Sequence, residues 1–253
     1  MSEIDVPESH PRYESLLTRH RIEAGVEKGI TSKQGLIAEG RGEAFDYLLG
    51  EQTTQSADRA ERAAAALLLL ADHPVLSVNG NAAALVPGEM IELASVVGAD
   101  IEVNLFNRTD ERMQAIVEHL REHDAGEAGV EIKGLTADAR IPGLDHERAK
   151  VDADGIGSAD VVLVPLEDGD RAEALAEMGK REIVIDLNPL SRSAQTATVP
   201  IIDNILRAVP TITEHARTLQ EASRGELETI VREFDRERAL AAAEDAIRSG
   251  TLE

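Results

Sequence analysis

The sequence predicts an α/β fold in which helices cover both faces of a mainly parallel sheet. Short runs of Val and Ile without polar alternation are typical of strands buried on both faces. Such runs lie at Val75–Val78, Ile101–Leu105, Val161–Val164, Ile183–Ile185 and Val199–Ile202, with a shorter one at Val130–Ile132. Helical stretches near Met90–Val97, Asp110–Arg121 and Arg171–Met178 separate the runs. This alternation favours parallel pairing.

Both ends of the chain read as helical. Tyr13–Glu27 carries apolar residues at three- and four-residue spacings, and a second helical stretch runs from Thr31, a candidate N-cap, to Gly50. We expect Gly40-Arg41-Gly42 to interrupt this second stretch. Ser56 is the expected cap of a third helix, which ends in the apolar run 63–70. The chain is helical again after Asn204.

These patterns predict one domain, with a helical N-terminal segment over about 11–72, a sheet region over about 73–205 and a helical C-terminal segment over about 206–253. The polar connection 135–158 shows no periodicity. Unstructured connections of this length inside a compact domain are usually functional or disordered.

Composition excludes several classes of protein. The 253 residues include no Cys, so disulfides and thiolate chemistry are absent. A net charge of −22 disfavours nucleic-acid binding, since phosphate backbones are repelled. The N-terminus lacks the features of a secretory signal, and the longest apolar run, Ala63–Ala71, is too short to span a membrane. We therefore expect a cytoplasmic protein without a membrane partner.

The basic residues are mostly arginine, with five Lys among the 26. An acidic surface poor in lysine suits a cytoplasm of high salt, where screening weakens self-repulsion. This predicts a halophilic protein. It also implies that local clusters of Arg and Lys are there to meet an anion.

Polar clusters follow each predicted strand and would gather at one edge of the sheet. They lie at Asn79–Asn81, Asn107–Thr109, Pro165–Arg171, Asp186–Ser193 and Asp203–Asn204. Open parallel sheets bind ligands at the carboxyl ends of their strands, where helix N-termini favour anions. One such cluster is better explained by turn formation and helix capping than by a ligand. Five at a single edge favour a ligand site.

Familiar nucleotide and hydrolase motifs are missing. The sequence contains no G-x-x-x-x-G-K-[ST] phosphate loop, no dinucleotide fingerprint, no H-E-x-x-H and no G-x-S-x-G. Pattern alone therefore predicts an α/β enzyme with an anionic ligand and goes no further.

Several long stretches resemble one family. They are SHPRYESL (9–16), GLIAEGRGEAFDYLLGE (35–51), HPVLSVNGNAAALVP (73–87), RIPGLDHERAKVD (140–152), ADVVLVPLEDGDRAEALAEMGK (159–180), DLNPLSRSA (186–194) and DNI (203–205). In this order they resemble archaeal phosphopantothenate synthetases, also called 4-phosphopantoate–β-alanine ligases. The resemblance covers about Ser9 to Arg207, and the tail beyond about His215 matches poorly.

The resemblance implies a Rossmann-like homodimer that converts ATP, 4-phosphopantoate and β-alanine into 4′-phosphopantothenate, AMP and diphosphate. It implies an acyl-adenylate, attacked by the amine of β-alanine, and Mg²⁺ to neutralise the phosphates. The ATP contacts that it implies are Arg19, Arg41, Asp186, Leu187, Asn188, Arg192, Ser193, Asn204 and Ile205. Four of these residues have a structural alternative: a solvated helix charge for Arg19, a strand-end turn for Asp186 and Asn188, and an N-cap for Asn204.

Further candidates come from the residues themselves. In an extended segment, His146, Arg148 and Lys150 would share one side and grip a phosphate, and the alternative is a solvated charged loop. Asp168 and Asp170 are candidate Mg²⁺ ligands, or else caps of the next helix. Finally, the side chains of Asn79 and Asn81 are predicted either to orient substrate or to mark a turn.

Three other functions remain open at this level. A kinase for a pantoate-like acid would release ADP instead of AMP. A nucleotide sensor would bind ATP without turnover. A nicotinamide oxidoreductase fits the fold, but the glycine fingerprint is absent.

Overall fold

The computed structural model describes residues 7, 9–10, 13–124, 129–166 and 168–250. A six-stranded parallel sheet forms its centre, as predicted. Its strands are β1 (Pro74–Val78), β2 (Asp100–Val103), β3 (Ile132–Lys133), β6 (Val161–Pro165), β7 (Arg181–Asp186) and β8 (Val199–Ile202). Two further strands, β4 (Ala139–Arg140) and β5 (Lys150–Val151), form a separate antiparallel pair.

Eleven α-helices occur in the described residues, in layers on both sides of the sheet. They are α1 (Tyr13–Glu27), α2 (Lys33–Leu49), α3 (Gln55–Leu70), α4 (Gly80–Leu85), α5 (Pro87–Val97), α6 (Asp110–His123), α7 (Gly169–Glu177), α8 (Arg192–Thr196), α9 (Ile205–Leu219), α10 (Arg224–Glu233) and α11 (Arg236–Ser249). The α/β class and the helical ends are confirmed. The short helix α4 was not predicted.

The strand order is β3-β2-β1-β6-β7-β8. The chain winds outward from β1 to β3, then returns to the middle and winds outward from β6 to β8. Such a doubly wound order is Rossmann-like, and its switch point lies between β1 and β6. The pairs Leu76↔Leu163 and Leu163↔Ile183 fix the register of the central strands. The carboxyl ends of all six strands therefore lie at one edge.

Helix α2 is continuous, so the predicted interruption at Gly40-Arg41-Gly42 is wrong. Each glycine costs helix stability relative to alanine, but Gly42 lies where an added Cβ would be 3.3 Å from Asn204 Nδ2. Close packing at that face offsets the cost. The predicted caps are also wrong by one or two residues: Ser32 precedes α2, and Thr54 caps α3 by accepting from the Ala57 N–H.

The connection 135–158 is ordered, contrary to expectation. The β4–β5 pair and a 3₁₀ turn at Glu147–Ala149 hold it together. A buried carboxylate anchors its end: Glu102 on β2 accepts backbone N–H bonds from Asp152 at 3.2 Å and Ile156 at 2.6 Å. Hydrogen bonds from its backbone to a side chain distant in sequence stabilise this segment, which is why it shows no periodic pattern.

The main core lies between the sheet and helices α3, α5, α6 and α9 and is built from small aliphatic residues. The middle of α3, Ala63–Leu68, is fully buried. A second, smaller cluster joins the ordered connection to β6 and α7. A third joins α2 and α11 to the ends of β7 and β8, through Phe45, Ala194 and Ile202. No described helix is long and apolar enough to cross a membrane.

Candidate active site

The switch point is closed by asparagine side chains. Asn79 follows β1, accepts the Ala82 N–H at 3.0 Å to cap α4, and donates to the Pro165 carbonyl at 3.0 Å. Asn81 is buried and donates to the Gly35 carbonyl at 3.0 Å, which joins α4 to α2. Both side chains therefore hold elements together. The structure favours the turn-forming interpretation of this Asn-Gly-Asn sequence.

A group of charged side chains, which we call the Arg148 cluster, lies beside the switch point. It consists of Asn104, His146, Arg148, Asp168 and Asp170. Arg148 is 4% exposed; its Nη1 donates to Asp168 Oδ2 at 2.8 Å and its Nε to Asn104 Oδ1 at 3.2 Å. His146 Nε2 lies 3.0 Å from Asp170 Oδ2. Burial opposes ionisation of Asp170, but the contact with His146 outweighs it and holds the pKa of Asp170 below its usual value.

The predicted extended arrangement of His146, Arg148 and Lys150 is wrong, because residues 147–149 form a 3₁₀ turn. The turn directs Arg148 into the protein and leaves Lys150 half-exposed, 2.7 Å from Glu147 Oε2. His146 Nδ1 is buried without a hydrogen-bond partner in the described residues. The structure thus brings His146 and Arg148 together at the start of α7, with Lys150 to one side.

Asp168 and Asp170, the candidate metal ligands, each contact a cationic or titratable side chain. Asp168 stands at the N-cap position of α7, but its side chain makes no capping bond. The described part of the chain contains no group of three or more His, Asp or Glu residues able to hold a metal ion. In the described residues these two carboxylates belong to no such group, and their role as Mg²⁺ ligands stays a prediction.

The loop after β7 is held by Asp186. Its Oδ1 accepts the N–H groups of Leu187 at 2.7 Å and Asn188 at 3.1 Å, and its Oδ2 accepts the Ser191 hydroxyl at 2.5 Å. Ser191 in turn caps α8. Asp186 is consequently saturated, as the strand-end turn alternative proposes, and the outward-facing groups of this loop are Asn188 and Arg192.

Arg192 connects two helix starts. An added Cβ at Gly169, the first residue of α7, would lie 2.7 Å from Arg192 Cβ. The N-terminus of α7 therefore lies next to the first residue of α8. The Arg192 side chain is two-thirds exposed, with Nη1 3.6 Å from Glu173 Oε1, while Ser193 is buried.

A cavity of about 360 Å³, which we call the Asn204 cavity, opens between α1, α2 and the start of α9. Arg19 and Asn204 both line it, so the structure brings these two predicted ATP contacts together. Arg19 is paired with Glu43, with Nε–Oε2 at 3.1 Å. Asn204 caps α9 through the Leu206 N–H and donates to Asp46 Oδ2 at 3.0 Å. Ile205 is the first residue of α9 and is buried.

The cavity is strongly acidic. Glu39, Glu43 and Asp46 project from α2 and line it. Burial, and then repulsion by Asp46 and Glu43, raises the pKa of Glu39 to about 7. Any anion bound there must displace or share these carboxylates' cationic partners.

Arg41 does not line this cavity, although it lies on the same helix. Its side chain is exposed and makes no hydrogen bond or ion pair with any described residue. It lies on the outward face of α2 together with Ile37 and Leu48, which are 77% and 50% exposed. Within one chain, the structure therefore separates Arg41 from Arg19 and Asn204.

The sequence did not single out a network that joins α2 to β8 and α9. Arg207 Nη2 lies 2.8 Å from Asp46 Oδ1 and 2.5 Å from Asp203 Oδ1. Asp203 Oδ2 also accepts the Thr53 hydroxyl at 2.6 Å. The four-residue spacing of Asp203 and Arg207 was a signal for their ion pair. The contact with Asp46 spans 161 positions and left no local signal.

Asn104 and Arg171 were also missed. Asn104 follows β2 and accepts from Arg148, and its own Nδ2 donates to the Lys150 carbonyl at 3.0 Å. Arg171 is completely buried below the switch point, with Nη2 3.4 Å from Ser77 Oγ. Fully buried arginine is rare, and its position one turn into α7 gave no indication of burial.

Comparison with known proteins places these features in one family. Residues 56–250 match the family described as phosphopantothenate/pantothenate synthetase. A 4-phosphopantoate–β-alanine ligase of Thermococcus onnurineus is 59% identical over 94% of this chain and 90% of its own length. Ligases with the same description from Thermococcus kodakarensis and Methanosarcina mazei are 58% and 54% identical over 94% of the chain, covering 90% and 92% of their own lengths.

Proposed function

Because the chain belongs to the phosphopantothenate/pantothenate synthetase family, we propose that it is an ATP-dependent ligase. It joins 4-phosphopantoate to β-alanine and forms 4′-phosphopantothenate, AMP and diphosphate, a step of coenzyme A biosynthesis. The observation that carries this proposal is 54–59% identity over 94% of the chain to three ligases of that description. The absence of any classical phosphate loop is compatible with it, because the edge of the sheet offers other anion-binding groups.

The chemistry requires activation of a carboxylate. A carboxylate oxygen of 4-phosphopantoate attacks the α-phosphorus of ATP, and diphosphate leaves with the electron pair of the broken P–O bond. The neutral amine of β-alanine then attacks the carbonyl carbon, AMP leaves with the bridging oxygen, and the amine loses a proton. Positive charge and N–H groups must stabilise both departing phosphates.

We place the nucleotide along the ends of β7 and β8. Asn188, Arg192 and Asn204 supply donors there, and the start of α8 adds backbone N–H groups with Ser193. Asp186 and Leu187 contribute as the turn that positions Asn188. Arg19 is available to the nucleotide if a phosphate displaces Glu43 from it. The Arg19 side chain is half-exposed in its pair with Glu43. Asn204 and Ile205 form the first turn of α9, where a helix dipole favours negative charge.

We place the phosphate of 4-phosphopantoate at the Arg148 cluster. The partly exposed imidazole of His146 and the half-exposed ammonium of Lys150 are the groups suited to contact it. Arg148 is bound on two sides and buried, so it supplies a fixed positive charge and positions Asp168 and Asn104. Magnesium enters this proposal only as the counter-ion that ATP carries, since Asp168 and Asp170 are engaged with Arg148 and His146.

The proposal includes a cytoplasmic homodimer adapted to high salt. The exposed apolar side chains of Ile37, Tyr47 and Leu48 on α2 support a second copy as the partner of this helix. Contact between two copies would also bring each Arg41 towards another chain. Measurements at high and low KCl test both ideas. In light scattering, a monomer at all salt concentrations contradicts the dimer. A fully folded, active protein at low salt contradicts halophily.

Product analysis tests the ligase. Purified protein in high-potassium buffer receives Mg²⁺, ATP and 4-phosphopantoate, with or without β-alanine, and mass spectrometry identifies the products. The ligase predicts AMP together with 4′-phosphopantothenate, dependent on both substrates. Release of ADP would indicate a kinase instead, and ATP binding without turnover in a folded sample would indicate a sensor.

A further inference from the structure

A second cavity, which we call the arginine cleft, lies away from the switch point. It opens between the first turns of α3 and the junction of α10 with α11, and its volume is about 780 Å³. Cavities of roughly 300–1,000 Å³ are typical of sites for small molecules of nucleotide size. The cleft is therefore large enough for a metabolite.

Three arginines line the cleft: Arg59 and Arg62 from α3, and Arg238 from α11. Their side chains make no hydrogen bond or ion pair with any residue that the structure describes. Exposed arginines on the neighbouring helices behave differently, since Arg217 and Arg224 each pair with a glutamate. The absence of an ion pair at the three cleft arginines is therefore not shared by all exposed arginines on the neighbouring helices.

The local charge balance is opposite to that of the whole protein. The chain has 48 acidic and 26 basic residues, whereas the lining of the cleft combines three arginines with two acids, Glu233 and Asp235. Asp235 is occupied, because its Oδ1 accepts the Arg238 N–H at 3.0 Å to cap α11. On so acidic a protein, guanidinium groups that form no ion pair with a described carboxylate are suited to an anion from outside.

Part of the lining is apolar. Ile230, Phe234, Ala239, Ala242 and Ala246 form it, along α10 and α11. The cleft thus combines two arginines of α3 and one of α11 with an aromatic ring and aliphatic groups. Such a lining recognises a ligand that has a charged end and an apolar or planar body.

The cleft is a neighbour of the Asn204 cavity but is lined separately. Glu51 lines that cavity, and residues 52–56 line the cleft. Thr53 belongs to this dividing segment and holds it to Asp203 at 2.6 Å. None of the three arginines lines the cavity in which Arg19 and Asn204 lie.

We propose that the arginine cleft is a binding site for a phosphorylated small molecule of nucleotide size, separate from the site of ATP turnover. The arginines bind its phosphates, and the wall around Phe234 contacts its apolar or planar part. This proposal goes beyond the ligase reaction, and its test does not depend on whether the protein catalyses that reaction.

The test is isothermal titration calorimetry on the full-length protein. The probe is adenosine 3′,5′-bisphosphate, which has two phosphates and a planar base, and no other nucleotide is present. The double variant Arg59→Gln/Arg62→Gln and the single variant Arg238→Gln are compared with Arg121→Gln. Arg121 is a matched control, since it too is exposed and lacks a partner in the described chain. Unchanged thermal midpoints establish that the variants are folded.

We expect one saturable site per chain, with Kd raised at least tenfold in the two cleft variants and less than twofold in Arg121→Gln. Inorganic phosphate should bind at least tenfold more weakly than the bisphosphate. Absence of binding, or equal binding by all variants, would overturn the site. Loss of binding in Arg192→Gln, a variant of the proposed ATP contacts, would assign the probe to those contacts instead. Equal affinity for inorganic phosphate would overturn the assigned ligand class.

Discussion

The carboxyl edge of the sheet carries two charged regions that are built in opposite ways. In the Arg148 cluster the most buried charged group is a cation, held between Asp168 and Asn104. In the Asn204 cavity the charged groups that project from α2 are carboxylates, and they already hold Arg19 and Arg207. The first region contains a buried arginine, Arg148, whereas Arg19 and Arg207 of the second are only partly buried.

The difference indicates how the two regions are suited to different tasks. A fixed, buried cation needs no rearrangement before it attracts a phosphate, so the Arg148 cluster is preorganised. The Asn204 cavity must exchange internal ion pairs for contacts with a ligand, and the raised pKa of Glu39 reflects the repulsion among its acids. Substitutions in the Arg148 cluster should therefore mainly lower activity. Substitutions in the Asn204 cavity should mainly change the stability that its ion pairs contribute.

The largest effect is expected for Arg148→Met. It removes the bonds from Arg148 to Asp168 and Asn104, and because Asp168 is partly exposed the loss of stability should be about 1.5–3 kcal/mol. We expect kcat/KM for 4-phosphopantoate to fall by about 100-fold, which corresponds to roughly 3 kcal/mol. Urea denaturation and steady-state kinetics measure both. Arg140→Met, an exposed arginine on the same connection, is the control. Equal effects of the two changes would contradict the role of Arg148.

Glu61→Gln tests the acidic region through a buried carboxylate that lies near Asp203. Glu61 is fully buried on α3, and its carboxylate oxygens have no hydrogen-bond partner within the described residues. Burial, with the nearby charge of Asp203, raises its pKa to about 9. The folded state therefore holds a proton that the unfolded state releases above about pH 4.5, so this group makes stability fall as pH rises from about 4.5 to 9.

Glutamine removes that dependence. We expect the variant to be more stable than the original protein by roughly 2–4 kcal/mol at pH 8, with the difference vanishing near pH 4.5. Urea denaturation across this pH range measures the difference. A gain that did not change with pH would show that Glu61 is not protonated in the folded protein.

Asp46→Asn is expected to have an intermediate effect. The substitution weakens the bonds from Arg207 and Asn204, and a hydrogen bond to a charged group is worth about 1.5–3 kcal/mol. We predict a loss of about 1–2 kcal/mol of stability and an ATP affinity about tenfold weaker. Calorimetry and denaturation test this, with Asp58→Asn as a control, because Asp58 forms a half-exposed pair with His215. Unaltered ATP binding would remove the Asn204 cavity from the nucleotide site.

Lys150→Gln should have the smallest effect. Its pair with Glu147 is solvent-exposed and three residues apart, so stability should change by less than about 0.5 kcal/mol. We expect KM for 4-phosphopantoate to rise about threefold to tenfold with little change in kcat. The control Arg224→Gln, which removes a more exposed cation paired with a glutamate, should leave KM unchanged. An unaltered KM in the Lys150 variant would mean that Lys150 does not contact the phosphate.

The fold was largely predictable because its strands and most of its helices have local sequence patterns. Uninterrupted Val and Ile runs marked the five longer strands, and the resemblance over about Ser9–Arg207 gave the family. The ordered connection was not predictable, since its stability comes from Glu102, which lies about 50 positions away and bonds its backbone. Helix α4 was missed for the same reason, because the hydrogen bond from Asn81 to the distant Gly35 carbonyl helps to hold its six residues in place.

The site was predictable in position but less so in role. All the polar clusters do lie at one edge, yet Asn79, Asp186 and Asn204 have their side chains engaged in caps and turns. A sequence cannot reveal whether an oxygen is already satisfied by neighbouring N–H groups. Nor could the alternate spacing of His146, Arg148 and Lys150 reveal that a 3₁₀ turn buries the middle residue.

The central claim is that the carboxylate of 4-phosphopantoate becomes bonded to AMP during turnover. It is tested most directly with 4-phosphopantoate that carries ¹⁸O in its carboxylate, together with ATP and β-alanine. Since AMP departs with the bridging oxygen, the account predicts one ¹⁸O atom in the phosphate of AMP for each amide formed. Unlabelled AMP, or label found in inorganic phosphate together with ADP, would contradict it.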